Sequence, residues 1–156
     1  ILTQTSQDDG YINAEMQWGI DQELFARAAY EVAEGVLVDK VGFVLHPTIE
    51  RAGASPDGVI GDSGLVEVKC PKTATHIQYL LDGVVPTKYQ PQMLFQMACA
   101  GAVWCDFVSF DPRLSAELQL FVVRFKRDDG RIAEMEAEVS LFLGEVDTML
   151  KRLTKK

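Results

Sequence analysis

Cysteine and histidine are both scarce in this chain. Of its 156 residues only three are Cys (Cys70, Cys99, Cys105) and only two are His (His46, His76). The cysteines are odd in number and contain no C-x-x-C pair, which argues against a disulfide framework or structural zinc and fits a reducing compartment. Nor can three scattered thiols supply the four ligands of an iron–sulfur cluster. Two histidines are poor support for an imidazole-based metal site, and His46, beside Pro47, reads as a hydrogen-bonded structural residue. Long apolar runs are missing too. The longest weakly polar stretch, MACAGAVWC at 97–105, falls far short of the roughly twenty residues of a membrane span. No basic segment followed by an apolar one opens the chain, so no signal peptide is expected, although the first residue is Ile rather than Met. Finally, positive charge is in deficit. Fifteen Lys and Arg against twenty-three Asp and Glu leave a net charge of −8, so a polyanionic partner needs a local basic patch or metal ions to bind.

What remains is the composition of an ordinary packed domain, 47% hydrophobic and 24% charged, and its length suits a single domain over 1–156. At 13–34, Met16, Ile20, Leu24, Ala28 and Val32 recur every fourth residue before Gly35, which predicts one long amphipathic helix closed by a glycine cap. Next come β-branched stretches broken by Pro47, Pro56, Gly58 and the GDSG turn at 61–64. They predict three antiparallel strands near 41–46, 48–60 and 65–70. A short helix follows Pro71, and a longer one runs from Thr87 to Gly101 with Pro91 tolerable only in its first turn. Strands at 103–112 and 118–126 precede a last helix over about 131–152, with Ile132, Met135, Val139, Phe142, Val146 and Leu150 on one face. The fold class is therefore α/β or α+β: a central mixed five-stranded sheet flanked by helices.

One stretch carries chemistry: ASPDGVIGDSGLVEVKC, residues 54–70. A hairpin turning at 62–63 brings Asp57 across from about position 68, between Glu67 and Lys69. Side chains alternate along a strand, so Glu67 and Lys69 share one face while Val66 and Val68 point the other way, into the core. Asp57 and Glu67 can then converge. Two converging carboxylates repel unless a cation lies between them, and a hard divalent ion with oxygen ligands does that directly. A nearby ammonium can orient a water or stabilise the charge of a phosphoryl transition state. Together these are parts for metal-assisted phosphodiester hydrolysis. Each piece has a plainer reading. Glu-x-Lys is common on solvated strands, and Pro-Asp-Gly is favoured turn chemistry; it is the joint pattern that neither explains.

That pattern resembles the P-D…(D/E)-x-K signature of the restriction-endonuclease-like nucleases, and specifically the lambda exonuclease or YqaJ-type phage recombinase family. QWGIDQELFAR (17–27), ASPDGVIGDSGLVEVKCP (54–71), YQPQMLFQM (89–97) and FDPR (110–113) resemble that family's blocks, in its order. The resemblance implies a restriction-endonuclease-like core in which Asp57, Glu67 and the Val68 carbonyl hold metal. It makes Lys69 the catalytic lysine and Glu23 an acid that completes the site, against the plainer reading of Glu23 as an i,i+4 partner of Arg27. Gln92 matches an amide that holds a metal-bound water or a phosphate oxygen. Gln96, one turn later, and Arg113 are candidate DNA contacts; the plainer reading of Arg113 is a brace at the sheet edge, and that of Tyr89 is packing. The basic tail, Lys151, Arg152, Lys155 and Lys156, reads as a solvated helix end or a DNA contact.

By the same resemblance the activity is 5′-to-3′ digestion of one strand of linear duplex DNA, leaving 3′ overhangs for recombination. The cofactor is Mg²⁺, two ions per site, replaceable by Mn²⁺ and inhibited by Ca²⁺. The partners are DNA ends, a single-strand annealing protein and two further copies in a trimeric ring. The setting is the cytoplasm of a bacterium carrying a phage or prophage. Family members also carry an N-terminal segment, with an Arg and a Ser or Thr, that grips the DNA end; no such block precedes Gln17. The alternatives are an endonuclease or repair nuclease of the same fold, and a catalytically silent end-binding module.

Overall fold

Strand pairing around residues 64–69 organises the molecule. In the computed structural model, which describes residues 13–154, this strand (β4, Gly64–Lys69) pairs antiparallel with β3 (Gly58–Ile60), in the register Gly58↔Val66 and Ile60↔Gly64. On its other edge it runs parallel to β5 (Trp104–Phe110), with Glu67 opposite Phe107 and Lys69 opposite Ser109. A parallel neighbour needs a long crossover. Here it is built from α2 (Thr73–Asp82), a single 3₁₀ turn (Thr87–Tyr89) and α3 (Gln90–Ala100), with Pro91 in the first turn of α3 as its missing N–H requires. An antiparallel β6 (Leu120–Lys126) completes a four-stranded sheet of order β3-β4-β5-β6. Helix α1 (Ala14–Glu34) lies on one face and α4 (Asp129–Thr154) packs against α3 on the other. Residues 1–12, in which no DNA-gripping block is expected, and Lys155 and Lys156 of the basic tail lie outside the described residues.

The sheet has four strands rather than five. The expected strands at 41–46 and 48–60 instead form a separate two-residue hairpin, β1 (Val44–Leu45) with β2 (Gly53–Ala54), and only Gly58–Ile60 of the second joins the main sheet. The cause is local. The imidazole Nδ1 of His46 accepts the backbone N–H groups of Thr48 (3.2 Å) and Ile49 (3.0 Å), while Arg51 adopts φ 67°, so the chain turns where a continuous strand was expected. His46 Nε2 meets Glu136 of α4 at 3.1 Å, which gives this histidine a structural role.

Both faces of β4 are covered. Leu65, Cys105 and Phe107 pack with Met93, Leu94 and Met97 of α3 and Ile132 of α4. Val66, Val68, Val108 and Phe110 pack with Ala26 and Tyr30 of α1. Gly64 is required at the start of β4, since a Cβ there would lie 2.1 Å from the Trp104 ring. The face of α1 that docks is not the expected one. Ala26, Arg27 and Tyr30 are buried, whereas Met16, Ile20, Leu24 and Val32 are more than half exposed. Spacing of four residues advances about 40° beyond a full turn each time, so such a series winds around a helix instead of marking one face. On α4, likewise, Ile132 is buried and Met135, Val139, Val146 and Leu150 are half-buried, but Phe142 is exposed.

Candidate active site

Asp57 leaves Pro56 one residue before β3 starts, and the Gly58↔Val66 pairing sets it opposite Glu67, one position from where the hairpin arithmetic had it. Its Oδ2 accepts the backbone N–H of Val68 at 2.7 Å. A residue in an extended strand points its N–H and C=O to the same edge, so the Val68 carbonyl also faces Asp57. Glu67 is fully buried; its face of β4 is as enclosed as that of Val66, because α3 covers it. From α3, Gln96 Nε2 donates to Glu67 Oε2 at 2.8 Å and reaches the Ser55 carbonyl at 3.4 Å. The other oxygen, Oε1, is ion-paired with the Lys69 ammonium without the geometry of a hydrogen bond. The Lys69 ammonium lies 5.2 Å from the centroid of the Tyr89 ring, which stacks on Phe107.

Helix α1 supplies the opposite wall. Arg27 donates to Glu23 at 2.6 Å, so the i,i+4 pair exists, yet Glu23 also lines a cleft of about 590 Å³ with Asp57, Val68, Lys69, Cys70 and Tyr89. Met16 and Ile20 line the same cleft, which accounts for part of the apolar exposure on α1. The helix is anchored by a buried network that nothing in the sequence pattern signalled. The hydroxyl of Tyr30 donates to Asp106 Oδ2 at 2.7 Å, and Arg124 grips both oxygens of Asp106 at 2.8 Å while stacking on Trp104. Tyr30 and Asp106 are 76 residues apart, so only the fold reveals the pair.

Charge in the cleft follows from this packing. Burial, and then repulsion from Glu67, push the Asp57 carboxyl up to about 6. Burial alone would lower Lys69, but the Glu67 carboxylate overrides it and holds the ammonium above its ordinary range. Lys69 therefore rests as a cation, suited to orienting a water or countering anionic charge and unsuited to accepting a proton. Burial lifts the Cys70 thiol to about 12, with Glu23 adding to the effect, so it is no nucleophile at neutral pH.

Other sequence candidates fall elsewhere. Gln92 is exposed in the first turn of α3 and is not among the residues lining the cleft, whereas Gln96 points inward and is too deeply buried to touch DNA directly. Arg113 donates from Nε to Asp111 at 2.6 Å and from NH2 to the Pro71 carbonyl at 2.9 Å, with its guanidinium 4.6 Å over Trp18. It thus ties the β5–β6 turn to the loop after β4. His76 is a satisfied core residue, bonded to Ser109 and to the Leu118 carbonyl.

Among the described residues no three His, Cys, Asp or Glu side chains form a metal cage. Two carboxylates and a backbone carbonyl are the donors at hand. That set does not fit zinc, but it fits Mg²⁺, which takes one or two carboxylates and keeps several of its waters.

The family model for the YqaJ-like viral recombinase domain matches residues 1–103. Among solved structures, an alkaline exonuclease from Laribacter hongkongensis, LHK-Exo, is 49% identical, with TM-score 0.93, over 99% of this chain and 77% of that one. LHK-Exo in complex with dAMP matches at 48% identity, the same TM-score and the same coverage. A phage-related exonuclease from Haemophilus somnus shares the fold at TM-score 0.73 and 17% identity, over 94% of this chain and 78% of that one. No curated protein matches. With about half of its own residues identical to those of LHK-Exo and two-thirds of its own length inside the family model, the chain belongs to the lambda exonuclease/YqaJ family of viral recombinases.

Proposed function

We propose that this protein is a metal-dependent exodeoxyribonuclease that digests one strand of linear duplex DNA from the 5′ end and leaves a 3′ overhang for recombination. The observation that carries the reading is a cleft lined by Asp57, Val68, Lys69 and Glu23, with the fully buried Glu67 carboxylate behind it ion-paired to Lys69. The family membership and the resemblance to LHK-Exo support exonuclease chemistry. Asp57, Glu67 and the Val68 carbonyl would hold Mg²⁺, two ions per site in the full arrangement, with Mn²⁺ able to replace it and Ca²⁺ inhibitory. The ion supplies Lewis-acid stabilisation of the phosphoryl oxygens and acidifies water.

The chain's own groups do the positioning. The Lys69 ammonium, fixed between Glu67 and the Tyr89 ring, donates to the attacking water or to a non-bridging phosphate oxygen and opposes the charge that builds there. Glu23, steadied by Arg27, accepts a hydrogen bond from that water across the cleft. Gln96 keeps the Glu67 carboxylate in one orientation from behind. For Gln92, exposed in the first turn of α3 and not lining the cleft, a phosphate contact rests on the family resemblance alone.

Three copies closing into a ring would give processivity without a basic surface, and Leu141, Phe142, Met149 and Leu153, exposed on α4, are apolar surface available for such a contact. The work would be done in a bacterial cytoplasm beside a single-strand annealing protein. The test is digestion of linear duplex labelled at either end, with and without a 5′-phosphate, next to covalently closed circles, in Mg²⁺ and in EDTA. Release of nucleotides from the 5′-labelled end in Mg²⁺ alone is the expected result. Cutting of closed circles would replace the exonuclease reading with an endonuclease one.

A further inference from the structure

A second groove, of about 400 Å³, adjoins the cleft, sharing Glu15, Cys70, Pro71 and Tyr89 with it. Its charge is reversed. Lys72, Lys88 and Arg113 line it against the single carboxylate of Glu15. In a chain of net charge −8, three cations gathered next to an acidic centre call for an anionic partner. Their existing partners leave them available. The Lys72–Glu15 pair, 2.6 Å long, is exposed at both ends and worth little. Among the described residues Lys88 has no carboxylate partner, and its ammonium lies 4.7 Å over the Tyr89 ring. Arg113 spends Nε on Asp111 and NH2 on the Pro71 carbonyl, which fixes the guanidinium plane and leaves NH1 without a protein partner among the described residues. Tyr89 lines both cleft and groove, with the Lys69 ammonium 5.2 Å and the Lys88 ammonium 4.7 Å from its ring centroid.

We infer that this groove is a subsite for the sugar-phosphate backbone of single-stranded DNA adjacent to the scissile phosphate, with Lys72, Lys88 and Arg113 each meeting a phosphate. The inference rests on the nuclease reading, and it adds the path by which a strand leaves or enters the cleft. A strand held there would be steered by charge toward Lys69.

The experiment measures binding of a fluorescent single-stranded dT oligonucleotide to the full chain by anisotropy, in EDTA, across a salt series. Each phosphate neutralised contributes about 0.7 to the slope of log K against log salt for single strands. The double variant Lys72→Gln/Lys88→Gln is expected to lower that slope by about 1.4 and to weaken binding at low salt by about tenfold or more. Lys72→Arg/Lys88→Arg should keep both, and Lys126→Gln, on β6 away from the groove, should change neither. A slope unchanged in the double variant, an equal change from Lys126→Gln, or no binding by the wild type would each overturn the subsite. Hydrolysis of linear duplex by the wild type is scored separately. If hydrolysis occurs and the slope does not move, the groove alone fails; if the slope moves without hydrolysis, the nuclease reading alone fails.

Discussion

Replacing Asp57 by Asn should make the metal-free protein more stable while destroying its activity. In the fold, burial and Glu67 raise Asp57 from 3.8 to about 6. Below pH 3.8 the group is neutral whether the chain is folded or not, and the acid contributes nothing unfavourable. As the pH rises through 3.8 the unfolded chain ionises first, while the folded one resists until about 6, so stability is lost across that window and stays lost above it. A shift of about two pK units corresponds to about 3 kcal/mol. Asn keeps an oxygen that can accept the Val68 N–H and removes the charge, so most of that figure should be recovered at pH 8. For a domain of this size each kcal/mol moves the melting temperature by about 2–4 °C. Thermal unfolding in EDTA should therefore show the variant melting roughly 5–10 °C above wild type at pH 8, with the difference vanishing near pH 4. Added Mg²⁺ should raise the melting temperature of the wild type and much less that of the variant. A variant less stable than wild type at pH 8, or a gain as large at pH 4, would refute the view that Asp57 is held as an energetically costly charge.

Lys69→Gln should lower hydrolysis of linear duplex by about 10²–10³-fold, read by nucleotide release with circular dichroism confirming the fold. Gln96→Leu removes the donor to Glu67 Oε2 and leaves a buried acceptor unpaired, at a cost of about 1–3 kcal/mol. Its half-saturation for Mg²⁺ should rise about 10–100-fold, measured both by calorimetric titration of the metal and by activity. An unchanged metal affinity would reduce Gln96 to packing. Tyr30→Phe should lower the unfolding free energy by about 1–2 kcal/mol, read as a lower urea midpoint at constant m-value, because Asp106 loses one donor and keeps Arg124.

Local chemistry was legible in the sequence where it was punctuated by turns. Gly35 and Gly101 end α1 and α3, Pro91 sits in the first turn of α3, and the GDSG turn pairs β3 with β4 closely enough to bring Asp57 to Glu67. Long-range geometry was not. No periodicity distinguishes Gln96 from Gln92, since both lie on α3 one turn apart. Only the position of that helix over β4 decides which amide meets Glu67. The docking face of α1 differs from the expected one because a four-residue spacing winds around the helix: only Met16 and Ile20 of that series reach the cleft wall, and the helix is held instead by Tyr30 and Ala26. The missing fifth strand came from a side chain, His46, competing with the sheet for backbone N–H groups.

The same arrangement explains how a fully buried glutamate is tolerated at the centre of the sheet. A charge with no partner there would neutralise itself or unfold the site. Glu67 instead meets a cation on one oxygen and an amide donor on the other, from two different elements. Each partner is itself restrained, Lys69 by the Tyr89 ring and Gln96 by burial in α3. The carboxylate is thereby fixed in direction before any ion or substrate arrives. Asp57, across the strand gap, has the Val68 N–H and the more distant Lys69 charge to favour its ionisation, and burial and Glu67 outweigh both, so a divalent cation is left to complete it. That asymmetry predicts which of the two acids responds to metal: the pH at which Mg²⁺ begins to stabilise the protein should follow Asp57 near 6, and in Asp57→Asn that pH threshold should disappear.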